Sequence, residues 1–142
     1  MSLHTILEKV KSYDAVSLFA DGYKGTPDFI VPDPYLELLS YSNGMELFSP
    51  GTVLYGIDSE GFPSLREKNS QEFKSAYGID TILFVIGEFN FGDFLCMERL
   101  PPYRLCLWDV TEKKRMDEWA NAEEFIISEI EDYELYLKEK VL

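Results

Sequence analysis

Thr81-Ile-Leu-Phe-Val-Ile86 is a run of six residues without a charge. It is too short for a helix buried on all sides and is rich in β-branched residues, so it reads as a strand buried on both faces, central in its sheet. The next segments supply partners for it. The Asn90-Phe-Gly-Asp93 turn leads into Phe94-Leu-Cys-Met-Glu98, and Pro101-Pro102 separates that segment from Arg104-Leu-Cys-Leu-Trp-Asp109. Three strands joined by short turns predict an antiparallel meander. Lys113–Trp119 follows as an exposed edge strand whose charges discourage pairing with another chain.

Helical periodicity flanks this block. Leu3, Ile6, Leu7 and Val10 define a first amphipathic helix, with Thr5 and Glu8 spaced as a capping box. From Tyr13 to Ile30 the periodicity fades, and Asp21-Gly22, Gly25 and Pro27 predict loop with one short strand or helical turn. A second helix starts at Asp33, read as its N-cap, with Pro34 in the first helical position. Tyr35, Leu38, Leu39 and Ser42 form its buried stripe, and Asn43-Gly44 ends it, glycine being suited to positive φ. Thr52–Ile57 reads as a strand closed by the Asp58–Pro63 turn cluster. Ser70 caps a short helix carrying Phe73, Ala76 and Tyr77 and stopped at Gly78. The chain closes with a long helix in which Asn121 and Glu124 form the cap, and Ala122, Ile126, Ile130, Tyr133 and Leu137 the buried stripe. Its other face carries Glu123, Glu124, Glu129, Glu131, Asp132 and Glu134. The expected fold is α+β: one domain over residues 1–142, a mainly antiparallel sheet of about five or six strands, and helices packed against it at both chain ends.

The chemistry-bearing residues are sparse. One histidine, His4, and two cysteines, Cys96 and Cys106, lack metal-site or redox-motif spacing, so buried thiols are expected and no metal or cofactor is. A nucleophilic triad needs a supported histidine, and neither GxSxG, GxxxxGK[ST] nor GxGxxG occurs. The chain therefore reads as a protein that is not an enzyme. Acid pairs such as Asp58 with Glu60 are expected by chance among 26 acidic residues and read as solvated surface. Most aromatics are assigned to the core, with Tyr23, Tyr133 and Tyr136, which lie beside acids, as possible interface anchors. No apolar run is long enough to span a bilayer and no leader pattern precedes the first helix, which predicts a cytoplasmic protein.

The charge is more informative. With 26 acidic and 13 basic residues the net charge is -13, more than solubility requires. Nucleic acid and anionic membranes are poor partners for such a chain, because phosphate is bound mainly through Lys and Arg. A basic protein is the expected partner.

Pro32-x-x-Tyr35-x-x-Leu38-Leu39-x-x-x-Asn43-Gly44, followed by Val53-Leu-Tyr-Gly56, resembles the signature of the SUKH superfamily, to which the fungal cell-wall-assembly regulators and many bacterial immunity proteins belong. Phe84–Glu88, Gly92–Leu95, Leu107-Trp108-Asp109 and Ala122-x-x-Phe125-Ile126 follow in that family's order. The resemblance covers roughly Phe29 to Glu139 and rests on hydrophobic and turn positions, Pro32, Tyr35, Asn43, Gly44, Gly56 and Trp108 among them. It implies an α+β domain that in bacteria acts as an antitoxin, binding a polymorphic-toxin domain that is often a nuclease. A nuclease carries a basic groove for phosphate, which agrees with the partner expected from charge. Asp58 and Glu60 after the first strand, and Glu124, Glu131 and Glu134 on the last helix, are the expected contacts. The fungal relatives imply an alternative, an intracellular regulatory or scaffolding domain that binds other proteins.

Overall fold

The computed structural model describes residues 2–13 and 16–141. Among these residues seven strands form one antiparallel sheet in which each pairs with its sequence neighbour: β1 (Leu18–Phe19), β2 (Met45–Leu47), β3 (Thr52–Leu54), β4 (Leu83–Glu88), β5 (Phe94–Glu98), β6 (Leu105–Asp109) and β7 (Lys114–Trp119). The helices are α1 (Leu3–Lys11), α2 (Asp33–Tyr41), α3 (Leu65–Lys68), α4 (Gln71–Ala76) and α5 (Ala122–Val141). The fold is α+β, with a helix near each end of the chain. The apolar run expected at the centre falls largely in β4, the fourth of seven strands: Leu83 to Gly87 are all buried, while Thr81 and Ile82, expected in the strand, are exposed ahead of it.

Side-chain alternation along β5 to β7 assigns the helices to the two faces of the sheet. Phe94 packs on Phe73 and Tyr77 at the α4 end, with ring centroids 5.2 and 5.0 Å away. Its cross-strand partner Trp108 donates its indole N–H to the Tyr77 carbonyl at 3.1 Å. Leu105, which follows the opposite parity, pairs with Trp119, whose ring meets Phe125 of α5 edge-on at 4.9 Å. One face is therefore covered by α5, with α1 packed beside it, and the other by α3 and α4. A strand covered on both sides has no solvated face, which is why β4 carries apolar side chains at consecutive positions.

The helix-to-strand connection after α2 is tied down by polar groups. Asn43 donates its side-chain amide to the Ile57 carbonyl at 2.8 Å and accepts from the Ile57 N–H at 2.7 Å, acting as a substitute strand neighbour. Gly44 has φ 97° and abuts the Phe62 side chain, and a Cβ on Gly56 would lie 2.6 Å from the Asn43 carbonyl oxygen, so each position requires glycine for its own reason. Tyr35, fully buried, donates its hydroxyl to the Tyr55 carbonyl, with the Ile86 carbonyl 3.2 Å away, which couples α2 to β4. Ser42 is buried yet satisfied: its Oγ accepts from the Ala20 N–H and donates to the Gly44 carbonyl. Asn69 repeats the two-way clamp at the end of α3, exchanging bonds of 2.8 and 2.7 Å with the backbone of Val85 in β4.

Several expectations need correction. The sheet has seven strands, not about five or six, because Met45–Leu47 is a strand and Leu18–Phe19 pairs with it. Three-residue strands carry too little alternation to be read without their partners. β3 ends at Leu54, three residues earlier than expected, since Gly56 leaves the ladder to bridge to Ser64. Between the Asp58–Pro63 turn and the helix capped by Ser70, Leu65–Lys68 adds a further helical turn, with the Ser64 hydroxyl accepting from the Glu67 N–H. Asp33 is not a cap: it lies in the first turn of α2, Pro32 holds the cap position, and no side chain closes it. Its charge still suits the positive end of the helix. In α1 the cap is Ser2 instead of Thr5, and Glu8 is bound by the Tyr41 hydroxyl at 2.6 Å. The expected loop from Tyr13 to Ile30 passes through Asp14 and Ala15, which lie outside the described residues.

Candidate functional site

α5 shows two faces to the protein. Ala122, Ile126 and Ile130 enter the core. Phe125, Ser128, Glu129, Asp132 and Tyr133, spaced i, i+3, i+4, i+7, i+8, line a surface cleft of about 370 Å³ between the helix and the sheet. The opposing structure comes from three distant segments: the β2–β3 turn with Phe48, the β4–β5 turn with Phe89 and Phe91, and β7 with Asp117 and Trp119.

Two aromatic walls result. On one side Phe48 and Tyr133 stack with centroids 4.5 Å apart and planes 12° from parallel, backed by Tyr13 at 5.7 and 5.4 Å. Phe48 holds φ 52°, a strained value for a non-glycine residue, and its N–H is anchored by the Ser17 hydroxyl at 2.9 Å. On the other side Phe89 and Phe91 stack at 5.1 Å, and Phe89 continues to Trp119 and Phe125 at 6.5 and 6.2 Å. Phe91 is 65% exposed, unusual for a phenylalanine in a folded domain.

The carboxylates of Glu129, Asp132 and Asp117 share this cleft. Glu129 is half-buried and accepts a hydrogen bond from the Thr52 hydroxyl. Its carboxyl is pushed above the usual range, first by desolvation and then by the neighbouring Asp132 charge, while the Thr52 bond acts in the opposite direction. Among the described residues none of the three makes an ion pair, and the cleft lining contains no Lys, Arg or His. Nor do they converge as metal ligands: no group of three or more His, Cys, Asp or Glu among the described residues is placed to hold a metal ion.

The acids expected as contacts are dispersed. Asp58 and Glu60 are exposed in the connection between β3 and α3, Asp58 with φ 49°. Glu124 is exposed but engaged in the helix cap: the Asn121 side chain accepts from its N–H at 2.9 Å, and its own carboxylate accepts from the Ala120 N–H at 3.1 Å. Glu131 and Glu134 flank a smaller recess with Lys9 and Ile6 of α1. Glu134 stands ten residues from Glu124, roughly 15 Å along the helix. No bond or cavity lining among the described residues joins Asp58 or Glu60 to these three. Of the suggested aromatic anchors, Tyr133 lines the cleft, Tyr136 lies next to it at 6.0 Å, and Tyr23 is elsewhere, against the end of α2.

Glu129 and Asp132 were assigned to the solvated face of α5 on sequence, and Glu129 is the exception to that assignment. The missed signal was the second periodicity, Phe125, Ser128, Glu129, Asp132 and Tyr133, in which a serine and two acids share a face with two aromatics.

The thiols are buried and free, as expected. Cys96 and Cys106 sit opposite each other on β5 and β6, and burial raises both, Cys106 to about 11 and Cys96 well above the ordinary thiol value. Among the described residues no helix is long and apolar enough to cross a membrane. No known protein-family model matches the chain, and a search of curated proteins gave no match.

Proposed function

We propose that this chain is an immunity protein of the SUKH kind, which binds and neutralises a basic toxin domain of the nuclease class through an acidic surface and acts by occupancy without catalysis. The observation that carries the reading is the state of the α5 acids. The helix holds seven Asp and Glu residues against two Lys in its last turn, and no α5 acid makes an ion pair among the described residues. An uncompensated acidic helix beside an open aromatic cleft repels itself in the free protein and gains from a cationic partner. Aromatic anchors rimmed by charge are the composition of a tight interface.

The test is affinity for the toxin domain encoded beside this protein, measured across a salt series. We expect association that slows as salt rises and is slowed further by Glu131→Lys or Glu134→Lys, with little change in dissociation from such rim substitutions. Absence of binding at micromolar protein, or recovery from cells of a stable regulatory complex with no toxin encoded nearby, overturns the reading.

A further inference from the structure

We propose that the cleft between α5 and the β2–β3, β4–β5 and β7 segments is a receptor for a single arginine side chain of the bound partner, its guanidinium stacked between the aromatic walls and paired with Glu129 and Asp132. The inference rests on the reading above only in taking the arginine from a partner protein; the site itself can be tested without one.

Three observations converge on a planar organic cation. First, the volume of about 370 Å³ lies at the small end of the range for ligand sites, roughly 300–1,000 Å³, which suits one side chain with its backbone better than a helix or a strand. Second, aromatic rings and carboxylates line the same cleft, which matches a guanidinium that stacks on aromatics and forms paired bonds to a carboxylate. An ammonium is a compact, strongly hydrated charge and uses such walls less well. Third, the aromatics that the chain covers with its own cations all lie outside the cleft. Lys11 lies over Phe19 and Tyr41, Arg66 over Phe29, Lys68 over Phe73 and Tyr55, and Arg99 over Phe84. Among the described residues no cation lies over Phe48, Phe89, Phe91, Trp119 or Tyr133.

Glu129 is costly in the free protein. It is desolvated without a counter-charge, faced by Asp132 on its own helix and Thr52 on β3, with Asp117 of β7 across the same cleft. Its neutral isostere, still able to accept from Thr52, removes that cost. A group that weakens the free fold yet lines an open cleft is positioned for a ligand.

The probe is the blocked tripeptide acetyl-Gly-Arg-Gly-amide, titrated into the whole chain while the Trp119 indole N–H is followed by NMR, with the matching Lys and citrulline peptides as controls. We expect saturable binding of the Arg peptide near the millimolar range, as befits one side chain, with the Lys peptide several-fold weaker and the neutral citrulline peptide silent. Glu129→Gln should lose at least tenfold in affinity while its melting temperature stays at or above the parent value. Binding should also weaken as pH falls and Glu129 is protonated. Equal binding of the citrulline or Lys peptide, no saturable shift with the Arg peptide, or unchanged affinity in Glu129→Gln overturns the proposal. Toxin binding that ignores Glu129→Gln sinks the cleft but not the immunity reading, whereas peptide binding without any toxin partner does the reverse.

Discussion

The two faces of the sheet use the same materials to opposite ends. On the α3–α4 side Phe94 and Trp108 are buried beneath the partly exposed Phe73 and Tyr77, and the polar groups are satisfied: the Tyr77 carbonyl accepts the indole N–H, Lys68 covers Phe73 at 4.8 Å, and Arg115 pairs with Glu98 at 3.3 Å. On the α5 side Phe48, Phe89, Phe91, Trp119 and Tyr133 are only partly covered, and Asp117, Glu129 and Asp132 have no cation beside them among the described residues. Aromatic content alone therefore does not distinguish core from interface. What distinguishes them is whether the chain itself satisfies the polar and π surfaces it assembles; the side it leaves unsatisfied is the one suited to a partner.

Truncation should separate the faces most strongly. Trp108→Ala removes a buried ring and orphans the Tyr77 carbonyl, costing about 3–5 kcal/mol. At roughly 3 °C per kcal/mol for a domain of this size, its melting temperature should fall by about 10 °C or more. Trp119→Ala, at a partly exposed site, should cost less than about 2 kcal/mol. Equal losses in calorimetry would mean that the α5 side is as closed as the other and would break the comparison.

A smaller effect concerns pH. Glu129 has a raised carboxyl in the folded protein, so the native state holds its proton more tightly than the unfolded chain does. Its contribution to stability is full below the unfolded value of about 4.5 and is lost as pH rises through the folded value. The melting temperature of Glu129→Gln should exceed that of the parent at neutral pH, and the gap should close as the pH is lowered toward the unfolded value. A gap that widens on acidification contradicts the assignment of Glu129 as the desolvated acid.

The smallest effect is chemical and belongs to the closed face, where Cys96 and Cys106 lie under the same cover as Trp108. With Cys106 at about 11, alkylation of the native protein should be slow at neutral pH and rise about tenfold per pH unit until that value is approached. Mass spectrometry of iodoacetamide-treated protein reads this directly, and rapid labelling at pH 7 would show that the face opens.

Legibility in the sequence followed the range of the interaction. β4 could be read because burial on both faces makes Leu83 to Ile86 apolar without interruption, and the stripe of α2 because Tyr35, Leu38 and Leu39 repeat at the helical period. The clamp at Asn43 was legible only as punctuation, although it binds Ile57 across fourteen residues. β2 was not legible at all, since three residues become a strand only when β1 and β3 pair with them. The α1 cap is Ser2, whose hydroxyl accepts from the Thr5 N–H, and Glu8, the expected partner of Thr5, is bound instead by Tyr41, 33 residues away.

By itself, then, the sequence determined the class of fold, the central strand, the helical stripes and the acidic balance, all of which follow from local periodicity and composition. Only the tertiary structure decided which acids matter. Glu129 and Asp132 carry the same charge as Glu131 and Glu134, and charge alone does not distinguish them. Phe48 from the β2–β3 turn, Phe91 from the β4–β5 turn and Trp119 from β7 line one cleft with Glu129 and leave it half-buried, whereas Asp132, Glu131 and Glu134 are exposed; desolvation, unlike charge, is a property of what surrounds a residue.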